Sequence, residues 1–317
     1  MVRARIIRSS KRVFDCQIVG SDTIVQAAAL RELIKGRDNH IVVGDYVELK
    51  ESEEAHTIVS VEERSSEIWR VIPREQRRKV TAANCDYLVI VMSVSRPEFK
   101  RGLLDRYLLR GVQWDIPTLV LFNKMDEFPE GELDLSFESA RIEGLGIECF
   151  EVSATEDSIE ARFGLPTLES FREKLKGKTA IFMGQSGVGK SKLITRISDG
   201  KVELESRNLA KVGKGSHTTT WSEIVDCGEF TLIDSPGIRS FAVDDIFRED
   251  LERFFPDIFP IMAKCKFRNC DHTPETKGCA FYSDDLVGQE REIALSRLDS
   301  FLRVRQEILS RPEWKKT

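Results

Sequence analysis

Residues 184–191 read GQSGVGKS, a GxxxxGK[ST] pattern between the apolar run TAIFM and the helix-forming stretch KSKLITRI. Such a loop can work only where a strand delivers the chain and a helix carries it away. It therefore demands an α/β architecture. The glycines let backbone N–H groups curl around phosphate oxygens without side-chain clash. Gly184, Gln185, Ser186, Gly187, Val188 and Gly189 would form the cradle. Lys190 would reach the β- and γ-phosphates, Ser191 would ligate Mg2+, and the helix N-terminus adds its positive end. The chain is thus expected to bind a nucleotide.

The surrounding pattern agrees. Between about 82 and 241, compact apolar runs alternate with helical stretches, the signature of a parallel sheet with crossover helices. Strands are predicted at 87–94, 118–122, 148–152, 179–183 and 230–233, and helices at 102–114 and 190–197. Residues 1–75 carry short β-branched or alternating runs broken by glycines, which read as a small antiparallel barrel. The segment RVIPREQRRK, 70–79, reads as a basic linker. Beyond 242 no further such strand is expected, and the chain ends in an amphipathic helix over about 286–309, with Ile293, Leu298, Phe301, Leu302, Ile308 and Leu309 mostly on one face. Three domains follow, at 1–75, 76–241 and 242–317.

The base is read from a second motif. NKMD at 123–126 directly follows the run TLVLF. Asp126 can accept two hydrogen bonds from the N1–H and exocyclic amine of guanine, and adenine offers neither in that geometry. Asn123 would brace the loop and the Lys124 stem would cover the base plane, with Met125 expected among the GTP-binding residues of the same motif. A further run, ECFEV, ends in Ser153 and Ala154, the place and type of a loop whose backbone N–H meets guanine O6. DSPG at 234–237 closes the run FTLI; there Asp234 would hold Mg2+ through water and the Gly237 N–H would sense the γ-phosphate. Between these, GSHTTT at 215–220 supplies Thr218 or Thr219 as a second protein ligand to Mg2+. The Asp126 motif disfavours an ATPase or kinase.

All the elements of a guanine-nucleotide pocket are present, but the base-reading motifs at 123 and 153 precede the phosphate-reading motifs at 184, 218 and 234. Joining the usual chain ends and cutting elsewhere preserves the pocket and changes the topology. The γ-phosphate segment then leads within about ten residues into the C-terminal region, so its ordering is expected to act on that region.

Of seven cysteines, Cys16, Cys85, Cys149 and Cys227 stand singly in apolar stretches and are expected in the core. Cys265, Cys270, His272 and Cys279 are separated by four, one and six residues. That Cys3His set suits tetrahedral Zn2+, and the site reads as structural. The net charge of −5 argues against coating nucleic acid by bulk charge. No apolar run is long enough to span a bilayer and the start carries no secretory signal, so a cytoplasmic protein is expected, with nothing demanding more than a monomer.

These residues together resemble the RsgA (YjeQ) family of permuted GTPases that depend on the small ribosomal subunit: a barrel, then AANCDYLVIVMSV, LLDRYL, NKMD, the Ser–Ala loop, GQSGVGKS, HTTT, DSPGI and the Cys3His cluster. The resemblance implies an OB-fold, a circularly permuted P-loop GTPase domain and a zinc-binding, mainly helical C-terminal domain. It implies action late in maturation of the 30S subunit, contact with 16S rRNA, and GTP hydrolysis that is slow alone and stimulated by the subunit. Two departures stand out. His272 and Cys279 are one residue further apart than is common in the family, and the basic N-terminal extension of some members is not in this sequence. RNA contact is then expected from the barrel face and from Arg74, Arg77, Arg78 and Lys79. Ile238 stands where Ras-like GTPases place a water-orienting glutamine, which makes His217 the candidate for positioning water.

Overall fold

The computed structural model describes residues 1–9, 13–34, 41–52, 55–72, 77–156, 159–203, 222–234 and 246–310. His217, Thr218, Thr219, Gly237, Ile238 and Arg74 lie outside these residues.

The chain opens with β1 (Val2–Ser9), β2 (Phe14–Ile18), β3 (Ile24–Ala29), α1 (Arg31–Ile34), β4 (Tyr46–Glu51) and β5 (His56–Val61). The strand order β1-β2-β3-β5-β4, closed by antiparallel pairing of β1 with β4, makes a five-stranded barrel. Alternation along each strand sends Ala4, Ile6, Phe14, Cys16, Val47, Leu49 and Ile58 inward to fill it.

The stretch expected to be a linker is instead a β-hairpin. β6 (Glu67–Ile72) pairs antiparallel with β7 (Arg77–Ala83), and the register shifts between Ile68 and Trp69. That bulge turns two successive side chains, Ile68 and Trp69, into the core. The Trp69 carbonyl accepts a 2.9 Å bond from Trp114 Nε1, which fastens the hairpin to a helix further along the chain. The basic residues looked like linker composition because they occupy the strands' free ends, where Arg70, Arg78 and Lys79 are exposed and Arg78 lies 4.1 Å over the Trp69 ring.

Next come β8 (Tyr87–Ser93), α2 (Arg101–Trp114), β9 (Thr118–Asn123), α3 (Leu135–Glu143), β10 (Glu148–Val152), α4 (Leu168–Leu175), β11 (Thr179–Met183), α5 (Lys190–Ile197), β12 (Glu223–Asp226) and β13 (Thr231–Asp234). Strands β10-β9-β8-β11-β13 run parallel, and β12 adds antiparallel at the edge. Leu88, Val89, Ile90, Val91, Val120, Leu121 and Phe122 are fully buried because helices cover both faces. Each such side chain contributes about 1.5–3 kcal/mol relative to exposure. The barrel joins this sheet through β1 and β12, with Arg8 opposite Glu223.

The C-terminal part holds a 3-10 segment over Arg248–Phe254, the short α6 (Phe259–Met262), a loop region and the long α7 (Gly288–Leu309). Ala294, Leu298, Phe301, Val304 and Ile308 form its buried stripe, while Leu309 is exposed and Ile293 half-buried. Arg297 sits on the buried face as well, at 1% exposure. It donates to Asp257 at 2.6 Å and to Asp105 of α2 at 2.5 Å. Asp105 also accepts from Arg141 at 2.6 Å and from the Ser300 hydroxyl, and Arg141 pairs with Glu138 at 3.0 Å. One buried carboxylate thereby ties α2, α3 and α7 together. Among the described residues no helix is long and apolar enough to cross a membrane.

Candidate nucleotide site and Cys3His cluster

The sheet puts the motif ends side by side. β11 lies between β8 and β13, and β9 lies beyond β8, so the C-terminal ends of β9, β10, β11 and β13 share one edge of the sheet. Ligands bind at that edge of open α/β sheets.

The phosphate loop fits because two positions lack a Cβ. At Gly184 a Cβ would stand 2.4 Å from the Val91 carbonyl oxygen of β8, so only glycine lets the loop leave the sheet so closely packed. At Gly189 (φ +97°) a Cβ would meet Asn123 Nδ2 at 2.4 Å. That vacated space is used: Asn123, fully buried, reaches across and donates from Nδ2 to the Val188 carbonyl at 2.8 Å. The Asn123–Asp126 segment is thus bolted to the 184–191 loop by a buried hydrogen bond. Lys190 donates to the carbonyls of Gly184 and Gln185 at 2.6 and 2.9 Å, which closes the loop over its own ammonium group. Ser191 is half-buried in the first turn of α5, and Ser186 and Gly187 face solvent.

The base side is equally cross-braced. Lys124 adopts the left-handed conformation (φ 71°) and donates its ammonium to the Arg96 carbonyl. Asp126 is exposed on a 3-10 turn over Met125–Glu127 and accepts a 3.1 Å bond from the Thr155 hydroxyl. Ser153, buried, accepts from the backbone N–H groups of Thr155 and Glu156 at 3.1 and 3.0 Å, which fixes the turn carrying Ala154. Glu151, fully buried, accepts from the N–H groups of Arg162, Phe163 and Leu165 at 2.8, 2.9 and 3.1 Å and holds the far side of that loop. Asp234 stands at the end of β13, beside the phosphate loop's strand. With Ser191 it offers hydroxyl and carboxylate oxygen, the donor chemistry that suits Mg2+.

In the C-terminal part, the ligand atoms of Cys265, Cys270, His272 and Cys279 all lie within 4.8 Å of one another. Tetrahedral Zn–S bonds of about 2.3 Å put neighbouring sulfurs roughly 3.8 Å apart. His272 Nδ1 faces Cys265 Sγ at 3.5 Å and Cys279 Sγ at 3.9 Å, so Nδ1 is the inward nitrogen. His272 itself takes a left-handed conformation (φ 56°), and its ring packs edge-on against Phe281 at 5.5 Å. Burial pushes the Cys279 thiol up to about 12 and lowers the His272 imidazole. A dication would reverse the thiol's preference, because coordination takes the thiolate.

A family model described as RsgA GTPase matches residues 61–244. The chain belongs to the RsgA GTPase family. Relatives named small ribosomal subunit biogenesis GTPase RsgA include one from Bacteroides fragilis, 35% identical over 83% of each chain. Another, from Flavobacterium psychrophilum, is 31% identical over 84% of this chain and 80% of its own. The fold superposes on a crystal structure of YjeQ from Thermotoga maritima with a TM-score of 0.74, at 23% identity, covering 98% and 99% of the two chains. It also matches YloQ, described as a circularly permuted GTPase, with a TM-score of 0.70 at 24% identity over 99% and 97%. The architecture is therefore that of a circularly permuted P-loop GTPase with an N-terminal barrel and a mainly helical C-terminal part.

Against this RsgA framework, the described motif residues converge as their order requires: Asn123 to Asp126, Ser153, Ala154, 184–191 and Asp234 line one edge, and the four cluster residues form one knot. The structure adds Thr155, which tethers Asp126, and Glu151, which shapes the Ser153 loop. Thr155 follows the Ser–Ala pair directly, and that adjacency was its one sequence signal. Glu151 had none, since an acidic residue inside a buried strand reads as a flaw in an apolar run.

Proposed function

We propose that the chain is a GTP hydrolase of the small ribosomal subunit, binding its RNA late in maturation and leaving after hydrolysis. One observation carries this reading: the Asn123–Val188 hydrogen bond makes the guanine-reading motif and the phosphate loop a single rigid pocket although they occur in permuted order. The relatives' names supply the small subunit as the partner.

In the proposed pocket Asp126 reads the guanine edge, Ala154 presents its backbone N–H to O6, and Lys124 covers the base. The 184–190 loop and Lys190 hold the phosphates. Mg2+, neutralising charge between the β- and γ-phosphates, would be held by Ser191 with Thr218 or Thr219, and through water by Asp234. Gly237 senses the γ-phosphate, and His217 positions the attacking water. With Ile238 in place of glutamine, the chain alone hydrolyses slowly and the subunit completes the geometry. The Cys3His cluster holds a structural Zn2+. The division at 1–75, 76–241 and 242–317, a cytoplasmic location and a monomeric state belong to the same proposal, as does RNA contact through Arg77, Arg78 and Lys79, exposed or half-buried on β7.

Co-sedimentation with purified small subunits tests it. Retention is expected with a non-hydrolysable GTP analogue and release with GDP. Comparable binding with GDP, the analogue and no nucleotide would refute the switch.

A further inference from the structure

The barrel meets the sheet over a cavity of about 400 Å³ that shares no residue with the nucleotide motifs. Arg5 and Tyr46 line it from the barrel, Asn84 from the end of the β6–β7 hairpin, and Asp86, Lys178 and Thr179 from the sheet. Thr179 opens β11, so the cavity lies at the end of the sheet opposite the phosphate loop, which leaves β11 after Met183. Its volume is in the ordinary range of small-molecule pockets.

The cations on this wall are unpaired, and the acids are engaged. Arg5 points out of the barrel, because its neighbours Ala4 and Ile6 fill the inside. Its Nε is shut off from water with no hydrogen-bond partner, and its side chain makes one hydrogen bond, from Nη2 to the Asn84 carbonyl at 3.1 Å. Among the described residues no carboxylate pairs with it, and the Tyr46 ring, 5.2 Å away, is its other contact. Burial holds this guanidinium below the ordinary arginine value, and Tyr46 and Asp86 offset only part of that. Lys178 is exposed, with no ion pair among the described residues, and its carbonyl is fixed by a 2.9 Å bond from the Thr231 N–H. Asp86, by contrast, accepts from the Thr179 N–H at 2.7 Å, and Glu229, also on the wall, pairs with Lys176 at 3.4 Å. A cation withdrawn from water without a counter-ion is costly to keep, and a ligand that brings the missing charge removes that cost.

We propose that this cavity binds a small organic anion through a phosphate or carboxylate group held between the Arg5 guanidinium and the Lys178 ammonium. The guanidinium offers several N–H donors to such an oxyanion, and the ammonium adds a compact second charge. The cavity is larger than a lone phosphate, so the occupant carries a body beyond its anionic group. Arg5 belongs to the barrel and Lys178 to the segment entering β11, so the bound anion would join the two at the end remote from the phosphate loop.

Titration calorimetry on the full, zinc-loaded chain tests it, with GDP and Mg2+ saturating the nucleotide pocket so that the phosphate loop is occupied. Inorganic phosphate and succinate, titrated separately, are the probes. Saturable binding of at least one is expected, and the tighter one identifies the anionic group. Arg5→Gln should weaken it about tenfold and Lys178→Gln about threefold. Without anion, the urea midpoint of Arg5→Gln should equal or exceed that of wild type, because no ion pair is lost; with anion, only wild type should gain. Equal anion binding by wild type and Arg5→Gln overturns the proposal by placing the anion elsewhere, as does no anion binding by wild type. A lower anion-free midpoint for Arg5→Gln overturns it too, by making Arg5 a structural residue. So does an Arg5→Gln loss seen only with a short single-stranded RNA, which would make the cleft a polynucleotide surface.

Discussion

Changing Asp105 to asparagine should loosen the C-terminal domain from the GTPase core. Its Oδ1 accepts from Arg141 Nη1 at 2.6 Å and Arg297 Nη1 at 2.5 Å, and all three residues are 1% exposed. Asparagine keeps the shape but removes the charge, leaving two buried guanidinium groups with one counter-ion each, Glu138 and Asp257. Removing one partner of a buried pair costs about 3–5 kcal/mol, and the surviving carboxylates hold the figure near the lower end. We expect a loss of about 3 kcal/mol in urea unfolding followed by circular dichroism. Adding Arg297→Met should cost less than the two single changes summed, because the second removes a charge that the first orphaned. A loss under about 1 kcal/mol, or strict additivity, would refute the role of Asp105 as the hub joining α2, α3 and α7.

Other expectations follow from the pocket and the core. Asp126→Asn should shift preference from guanine to xanthine nucleotides in competition binding; an unchanged preference would remove Asp126 as the base reader. Asn123→Ala takes away the bolt to Val188 and should weaken nucleotide binding by about 1–3 kcal/mol, roughly 5- to 150-fold by titration calorimetry, with the circular dichroism spectrum unchanged. Alkaline pH should also destabilise the fold. Burial pushes the Cys16 and Cys85 thiols up to about 12 from an ordinary 9.0. The unfolded thiols ionise first, so this stability is complete below pH 9 and is lost as pH rises towards 12. At pH 10 each thiol should subtract about 1.4 kcal/mol, and a Cys16→Val, Cys85→Val variant should show a shallower decline in urea midpoints.

Strands buried on both faces were the most legible part of the chain, because a parallel sheet leaves continuous apolar runs. The expected strand at 179–183 is β11 to the residue, and 118–122 falls one short of β9. The pocket was legible for the same reason, since each motif follows such a run. Elements built on buried charge were not. The helix α3 hides Glu138 and Arg141, which read as surface residues until Asp105 and Arg101 are found against them. Likewise Arg297 interrupts the apolar face of α7 for reasons that lie in α2. The hairpin β6–β7 reads as a linker in the sequence because its bulge breaks the period-two pattern where Ile68 and Trp69 turn inward together. Four-residue β12 is too short to show a period at all.

The measurement that bears most directly on the central claim is steady-state GTP turnover by the purified chain, alone and with purified small ribosomal subunits. With Ile238 where a water-orienting glutamine would stand, the chain alone should be slow, and subunits should raise turnover by a factor on the order of 10³ or more. Fast turnover by the chain alone, or a rate that the subunits leave unchanged, would contradict a GTPase completed by its partner.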